Sequence, residues 1–104
     1  MALYLVARLK VKYGYMAEAA EQLAKFPPIL EPYGWKLLAS MHPVIGDFSE
    51  IVDIWEVPDA NAVPSALAAM GSGQDRAWQA VFGEFRKYVE SEHLCVCAKF
   101  PFSP

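Results

Sequence analysis

An α+β sandwich of the ferredoxin-like kind is the fold class this sequence predicts, and three observations predict it. Strand-like and helical patterns follow one another in the order β-α-β-β-α-β. The connections between them are short and marked by Gly and Pro. The 104 residues fit one domain, taken as residues 1–104, and leave no room for a second.

Each element has its own reason. From Leu3 to Lys12 the chain alternates, with Leu3, Leu5, Ala7 and Leu9 on one face and Tyr4, Val6, Arg8 and Lys10 on the other. That is a strand with one strongly apolar side, and Gly14 breaks it. From Tyr15 to Phe26, Met16, Ala19, Ala20, Leu23 and Phe26 recur at helical spacing. Pro27-Pro28 is expected to end or kink that helix. Trp35 to Met41 forms the second strand, stopped by Pro43 and Gly46, and Ser49 to Val57 the third. A helical stretch follows, with Asn61 as N-cap and Pro64 in the first turn, where a missing N–H costs little. The next helix opens at Ser72 and Asp75, which read as a capping box. Its apolar stripe runs through Ala77, Trp78, Val81, Phe82, Phe85, Tyr88 and Val89. Leu94 to Phe102 is the last strand.

Composition bounds the partners. Hydrophobic residues make up 55% of the chain and charged ones only 20%, which is rich for a domain that buries only about two-thirds of its unfolded surface. In this topology the helices cover one sheet face. A second copy, packed sheet face to sheet face in a barrel-like homodimer, is expected to cover the other. Net charge is −3, with no run of Lys or Arg, so no nucleic-acid partner is expected. No stretch approaches the roughly 20 apolar residues of a membrane span. The N-terminus enters the alternating pattern directly, so a cytoplasmic location is expected. Cys95 and Cys97 sit two apart in a strand, with Cα atoms roughly 6.5–7 Å apart, at or past the reach of a disulfide. They read as two small buried apolar residues.

Candidate site residues follow from strand parity. Val52 and Ile54 form an apolar pair suited to the helix layer, which turns Ile51, Asp53, Trp55 and Val57 towards the opposite face. The first and third strands are neighbours in this topology, so Arg8 and Asp53 are expected to share that face as a cross-strand ion pair. The pair either satisfies itself and fixes register, or it orients a ligand's carbonyl or hydroxyl. Parity places Tyr4 and Trp55 beside it as substrate-binding candidates. His42 ends the second strand with Asp47 five residues on, an arrangement open to general-base chemistry; His93 is a further histidine at a strand end. No HExxH or His-x-x-His spacing exists, so no metal is expected. "GSG" at Gly71 to Gly73 lacks the lysine of a phosphate loop.

Four segments carry a family resemblance: "VKYG" before the first helix, "YGWKLLAS" at the second strand, "SEIVDIWEVPD" at the third, and the terminal "FPFSP". Together they resemble the NIPSNAP-like branch of the dimeric α/β-barrel superfamily. The resemblance implies a ferredoxin-like protomer dimerised through its sheet, with a ligand cavity between sheet and helices or inside the barrel. It departs from the family at Pro27-Pro28, where the resembling proteins continue the first helix. The wider superfamily includes cofactor-free monooxygenases, cyclases, muconolactone-type enzymes and haem-degrading proteins, so the resemblance implies fold more firmly than function. Haem-degrading relatives place an iron-ligating His on a helix. Arg76 to Glu92, read as the second long helix, has none, so no haem and no other cofactor is expected.

The resulting expectation is a cofactor-independent enzyme acting on an apolar cyclic or aromatic metabolite by proton-transfer-assisted cyclisation, isomerisation or oxygenation. His42 and Asp53 are its candidate catalytic residues, with Tyr4, Arg8 and Trp55 binding substrate. The alternative, from another class, is a non-catalytic dimeric module that binds a hydrophobic small molecule or a protein partner.

Overall fold

The computed structural model describes residues 2–104. Its strands are β1 (Leu3–Val11), β2 (Lys36–Met41), β3 (Glu50–Val57) and β4 (Val89–Cys97). Its helices are α1 (Met16–Leu23), α2 (Phe26–Leu30), α3 (Ala62–Gly71) and α4 (Arg76–Phe85). The strands make one antiparallel sheet in the order β2-β3-β1-β4, the ferredoxin-like arrangement.

The core lies between the sheet and the helices. Leu5, Leu9 and Val11 of β1 and Ile51, Trp55 and Val57 of β3 are buried there against Leu23, Phe26, Leu30, Met70 and Phe85. Each large side chain withdrawn from water in this way contributes about 1.5–3 kcal/mol.

The first helix does not run through the two prolines. It stops after Leu23, and Phe26 to Leu30 start again as α2, with Pro27 in the new first turn. Backbone N–H groups there have no intrahelical partner to lose. Gly34 then turns the chain into β2 at φ +82°, and a Cβ on it would stand 3.2 Å from the Pro58 ring.

The second half of the chain divides differently from its hydrophobic pattern. Asp75 alone caps α4, accepting from the Trp78 N–H at 3.0 Å, while Ser72 closes α3 by donating its N–H to Ala68. The two do not form a capping box. Nor does Asn61 cap α3 with its side chain; Asp59 accepts from the N–H groups of Asn61 and Ala62 instead. Helix α4 ends at Phe85, and after one 3-10 turn β4 begins at Val89, five residues before Leu94. A backbone bond from Lys12 N–H to Tyr88 O, 2.8 Å long, pins that turn to the end of β1.

Strand β3 is turned over relative to the sequence expectation. Ile51, Asp53, Trp55 and Val57 face the helices and are buried, while Glu50, Val52, Ile54 and Glu56 lie on the opposite, open face. The physical reason lies at the strand ends. Counted over its whole length, the set containing Val52 and Ile54 also contains two glutamates, and a helix layer cannot bury those without partners. The cysteines are corrected too: Cys95 and Cys97 are exposed, with Sγ atoms 3.7 Å apart.

Candidate functional site

The face of β1 that meets the helices sets the floor of the site. Leu5, Ala7 and Leu9 point inward, and the register places Asp53 of β3 opposite Ala7 on one side and Leu94 of β4 opposite it on the other. Above this floor lies a cavity of about 160 Å³. Its roof includes Phe26, Trp78, Phe82 and Phe85. Phe26 packs edge-on to Phe85 at 5.0 Å, and Trp78 stacks on Phe82 at 4.7 Å. At the other end Trp55 meets Trp35 edge to face at 6.0 Å, and the Trp35 indole N–H reaches Ala62 O at 3.4 Å.

Two polar residues line this apolar space, and both are acids: Asp53 and Glu92. Asp53 is 2% exposed, and among the described residues no cation stands beside it. Among the described residues its hydrogen-bond donor is Ser40, whose Oγ lies 2.6 Å from Oδ1. Burial pushes the Asp53 carboxyl up from the ordinary aspartate range, and the Ser40 hydroxyl partly opposes that shift. Glu92, opposite Leu9 on the edge strand, is pushed up as well, first by burial of its carboxyl and then by the charge of Asp53. Glu92 keeps contact with water along its side chain; Asp53 has no such relief.

Ser40 reaches Asp53 because β2 carries a bulge. Leu37 pairs with Trp55, but Ala39 pairs with Ile54, so one residue, Leu38, is extra. Beyond it Ser40 stands opposite Asp53, a place that Ala39 would take in an unbroken ladder.

The other expected site residues lie elsewhere. Arg8 pairs with Val52, not Asp53, and its guanidinium binds Glu50 on the open face at 2.6 Å. The expected Arg8–Asp53 pair is therefore not formed, because a sheet separates them. Tyr4 shares the open face with Arg8, and the Lys99 ammonium stands 5.1 Å over its ring. Trp55 does line the cavity with Asp53. His42 is exposed and contacts Pro43 O at 3.3 Å. Asp47 is taken up by Lys10 and Ser49, so no His42–Asp47 pair exists. His42 instead borders a second groove with Ser40 and Ile51, outside the central cavity. His93 lies on the open face opposite Arg8. Among the described residues, no three His, Cys, Asp or Glu side chains gather as a metal site would require.

Ser40 and Glu92 are the site members that sequence reasoning missed. The run Val89 to Val96 does not alternate, since four polar residues precede three apolar ones, so it carries no signal for Glu92, and the helical stripe of α4 masks the strand when it is carried on to Val89. Nothing in the sequence marks the bulge that brings Ser40 round.

The model of the NIPSNAP family matches residues 4–104. The chain belongs to the NIPSNAP family. A NIPSNAP family protein from Agrobacterium tumefaciens superposes with a TM-score of 0.86 at 18% identity, over 100% of this chain and 98% of the other. A NIPSNAP domain protein from Burkholderia xenovorans gives 0.82 at 17% identity, over 98% of each chain. SnoaB, a cofactor-independent oxygenase from Streptomyces nogalater, gives 0.77 at 17% identity, over 99% of this chain and 97% of that one. At these identities the likeness is one of fold, shared by NIPSNAP proteins and oxygenases alike. No curated protein matches the chain. No helix among the described residues of this NIPSNAP protein is long and apolar enough to cross a membrane.

Proposed function

We propose that this NIPSNAP protein is a small enzyme that works without metal or organic cofactor on an apolar cyclic or aromatic metabolite, with Asp53 as its proton-transfer group. One observation carries the reading: a carboxyl 2% exposed, with no cationic partner among the described residues, lines an apolar cavity between sheet and helices. A carboxylate relieved of water is a stronger base than one on the surface, and raised carboxyl pKa values are a mark of acid–base sites. The cavity volume of about 160 Å³ is close to the roughly 150 Å³ that admits a single benzene ring in an apolar protein interior. The fold shared with a cofactor-independent oxygenase supports the class of chemistry.

In this reading Asp53 accepts a proton from an acidic C–H or O–H of the bound ring compound. The anion left behind is delocalised over the ring, and it cyclises, isomerises or meets dioxygen. His42 has no part in the step, since it lies outside the cavity.

The test is α-proton exchange of cyclohexanone, a single-ring ketone, in D2O, followed by NMR. Wild-type protein accelerates exchange over buffer, and Asp53→Asn loses that acceleration by about 100-fold or more. Exchange undiminished in Asp53→Asn would refute proton transfer by this residue and leave a binding module.

The same reading includes a homodimer through the open sheet face. Val6, Val52 and Ile54 are half-buried there with no helix above them, and Phe100 and Phe102 are exposed and stacked on each other at 5.2 Å beyond β4. A monomer by light scattering at micromolar concentration would overturn this part.

A further inference from the structure

The charge balance of the cavity points to its ligand. Its lining holds two carboxyl side chains and no Lys, Arg or His. The remainder is aliphatic or aromatic, and the aromatic share includes Trp35, Trp55 and Trp78, all three tryptophans of the chain. Asp53 lines the cavity and is 2% exposed, and among the described residues its recorded partner is Ser40, on Oδ1, which leaves Oδ2 without one. Ala7, the smallest side chain of the floor, lies between the strand of Asp53 and the strand of Glu92, so neither carboxyl is walled off from the other. Buried charges of one sign are costly unless a partner balances them. Aromatic faces attract cations, Trp most strongly. Two carboxyls and a ring-lined wall therefore complement one chemistry in common.

We propose that the cavity receives a ring-bearing organic cation, a protonated primary or secondary amine, held between the aromatic wall and the Asp53–Glu92 pair. The inference rests on the reading of this cavity as the ligand site, and it names the substrate class. A neutral ring compound would fill the volume but leave the buried Asp53 carboxylate unbalanced, since Glu92 alone keeps contact with water. An anionic one would be repelled. With an ammonium in place, one carboxylate balances it and the other is free to handle the proton.

Tryptophan fluorescence reports this site alone, because all three tryptophans line it. The experiment titrates the protein with 2-phenylethylamine, 2-phenylethanol and phenylacetate at constant ionic strength. The expected result is an amine affinity at least about tenfold above the alcohol's, with phenylacetate weakest. Asp53→Asn and Glu92→Gln, both close in shape to the native side chains, are each expected to erase most of that preference while leaving the alcohol's affinity within about threefold. Equal affinity for amine and alcohol in the wild-type protein would overturn the proposal while leaving an apolar ligand cavity standing. A preference for the amine that survives in the Asp53→Asn, Glu92→Gln double variant would overturn it as well. No fluorescence response to any of the three would sink both this proposal and the cavity reading beneath it. Proton exchange by cyclohexanone tests Asp53 as a base separately, so loss of one result does not entail loss of the other.

Discussion

Ser40 Oγ donates a 2.6 Å hydrogen bond to Asp53 Oδ1 from the neighbouring strand, on the side of the sheet that faces the helices. This contact is what stands against the desolvation of a carboxyl buried without a cation. It makes the site a compromise between burial, which favours the neutral acid, and one donor, which favours the anion.

Ser40→Ala removes that donor. The buried carboxyl then loses its partner, at a cost of about 1–3 kcal/mol, and its proton affinity rises further. Urea unfolding at neutral pH should show the loss. A change below about 0.5 kcal/mol would mean that the hydroxyl does not support Asp53.

Asp53 also dictates a pH dependence. Its folded carboxyl is raised above the ordinary aspartate value, so between the two values the folded state binds more protons than the unfolded chain. Stability therefore falls as pH rises through that window. The favourable contribution is full at acidic pH, below the unfolded value, and is lost above the folded one. Asp53→Asn has no charge to bury. Its melting temperature should exceed the wild type's at alkaline pH, with the gap closing on acidification. A gap that widens on acidification would show the sign to be wrong.

Asp75 serves two partners, the Trp78 N–H at 3.0 Å and the Tyr33 hydroxyl at 2.7 Å. The Trp78 backbone N–H holds its carboxyl below the usual range, and the Tyr33 hydroxyl adds to the effect. Asp75→Ala should lower the denaturation midpoint through the lost cap, read by chemical denaturation. Asp75→Asn or Asp75→Ser should recover most of the loss, since either caps nearly as well.

Arg8→Ala tests the separation of the two sheet faces. The Arg8–Glu50 pair is solvent-exposed on the arginine side, and such pairs contribute about 0–1 kcal/mol. The affinity of the cavity for 2-phenylethylamine should be unchanged by fluorescence titration. A tenfold loss would place Arg8 at the ligand after all.

Much of the fold was legible because local patterns and global topology agree. The alternation of β1, the cluster of Trp and Ile on β3 and the Gly and Pro turns each imply the element that forms. The candidate site was less legible, and the failure began at a single strand. Val52 and Ile54 look like a helix-facing pair only while Glu50 and Glu56 are left out of the count. Once β3 is turned, Arg8 and Asp53 part company, and Asp53 joins Trp55 inside. Glu92 was hidden differently: the helical spacing of Phe82, Phe85, Tyr88 and Val89 runs on past the point where α4 stops. Hydrophobic periodicity does not mark where a helix gives way to an edge strand. Ser40 depended on an extra residue in β2, and a count by twos cannot survive such an insertion.

That extra residue has an implication for chain length. Leu38 is half-exposed and stands unmatched between two correctly paired neighbours, Leu37 opposite Trp55 and Ala39 opposite Ile54. A chain of 103 residues lacking it would run β2 straight, with Ser40 still opposite Asp53. Deletions inside a strand ordinarily scramble everything downstream. Here one position is a spare link, and removing it tightens the ladder without moving the hydroxyl that guards the buried acid.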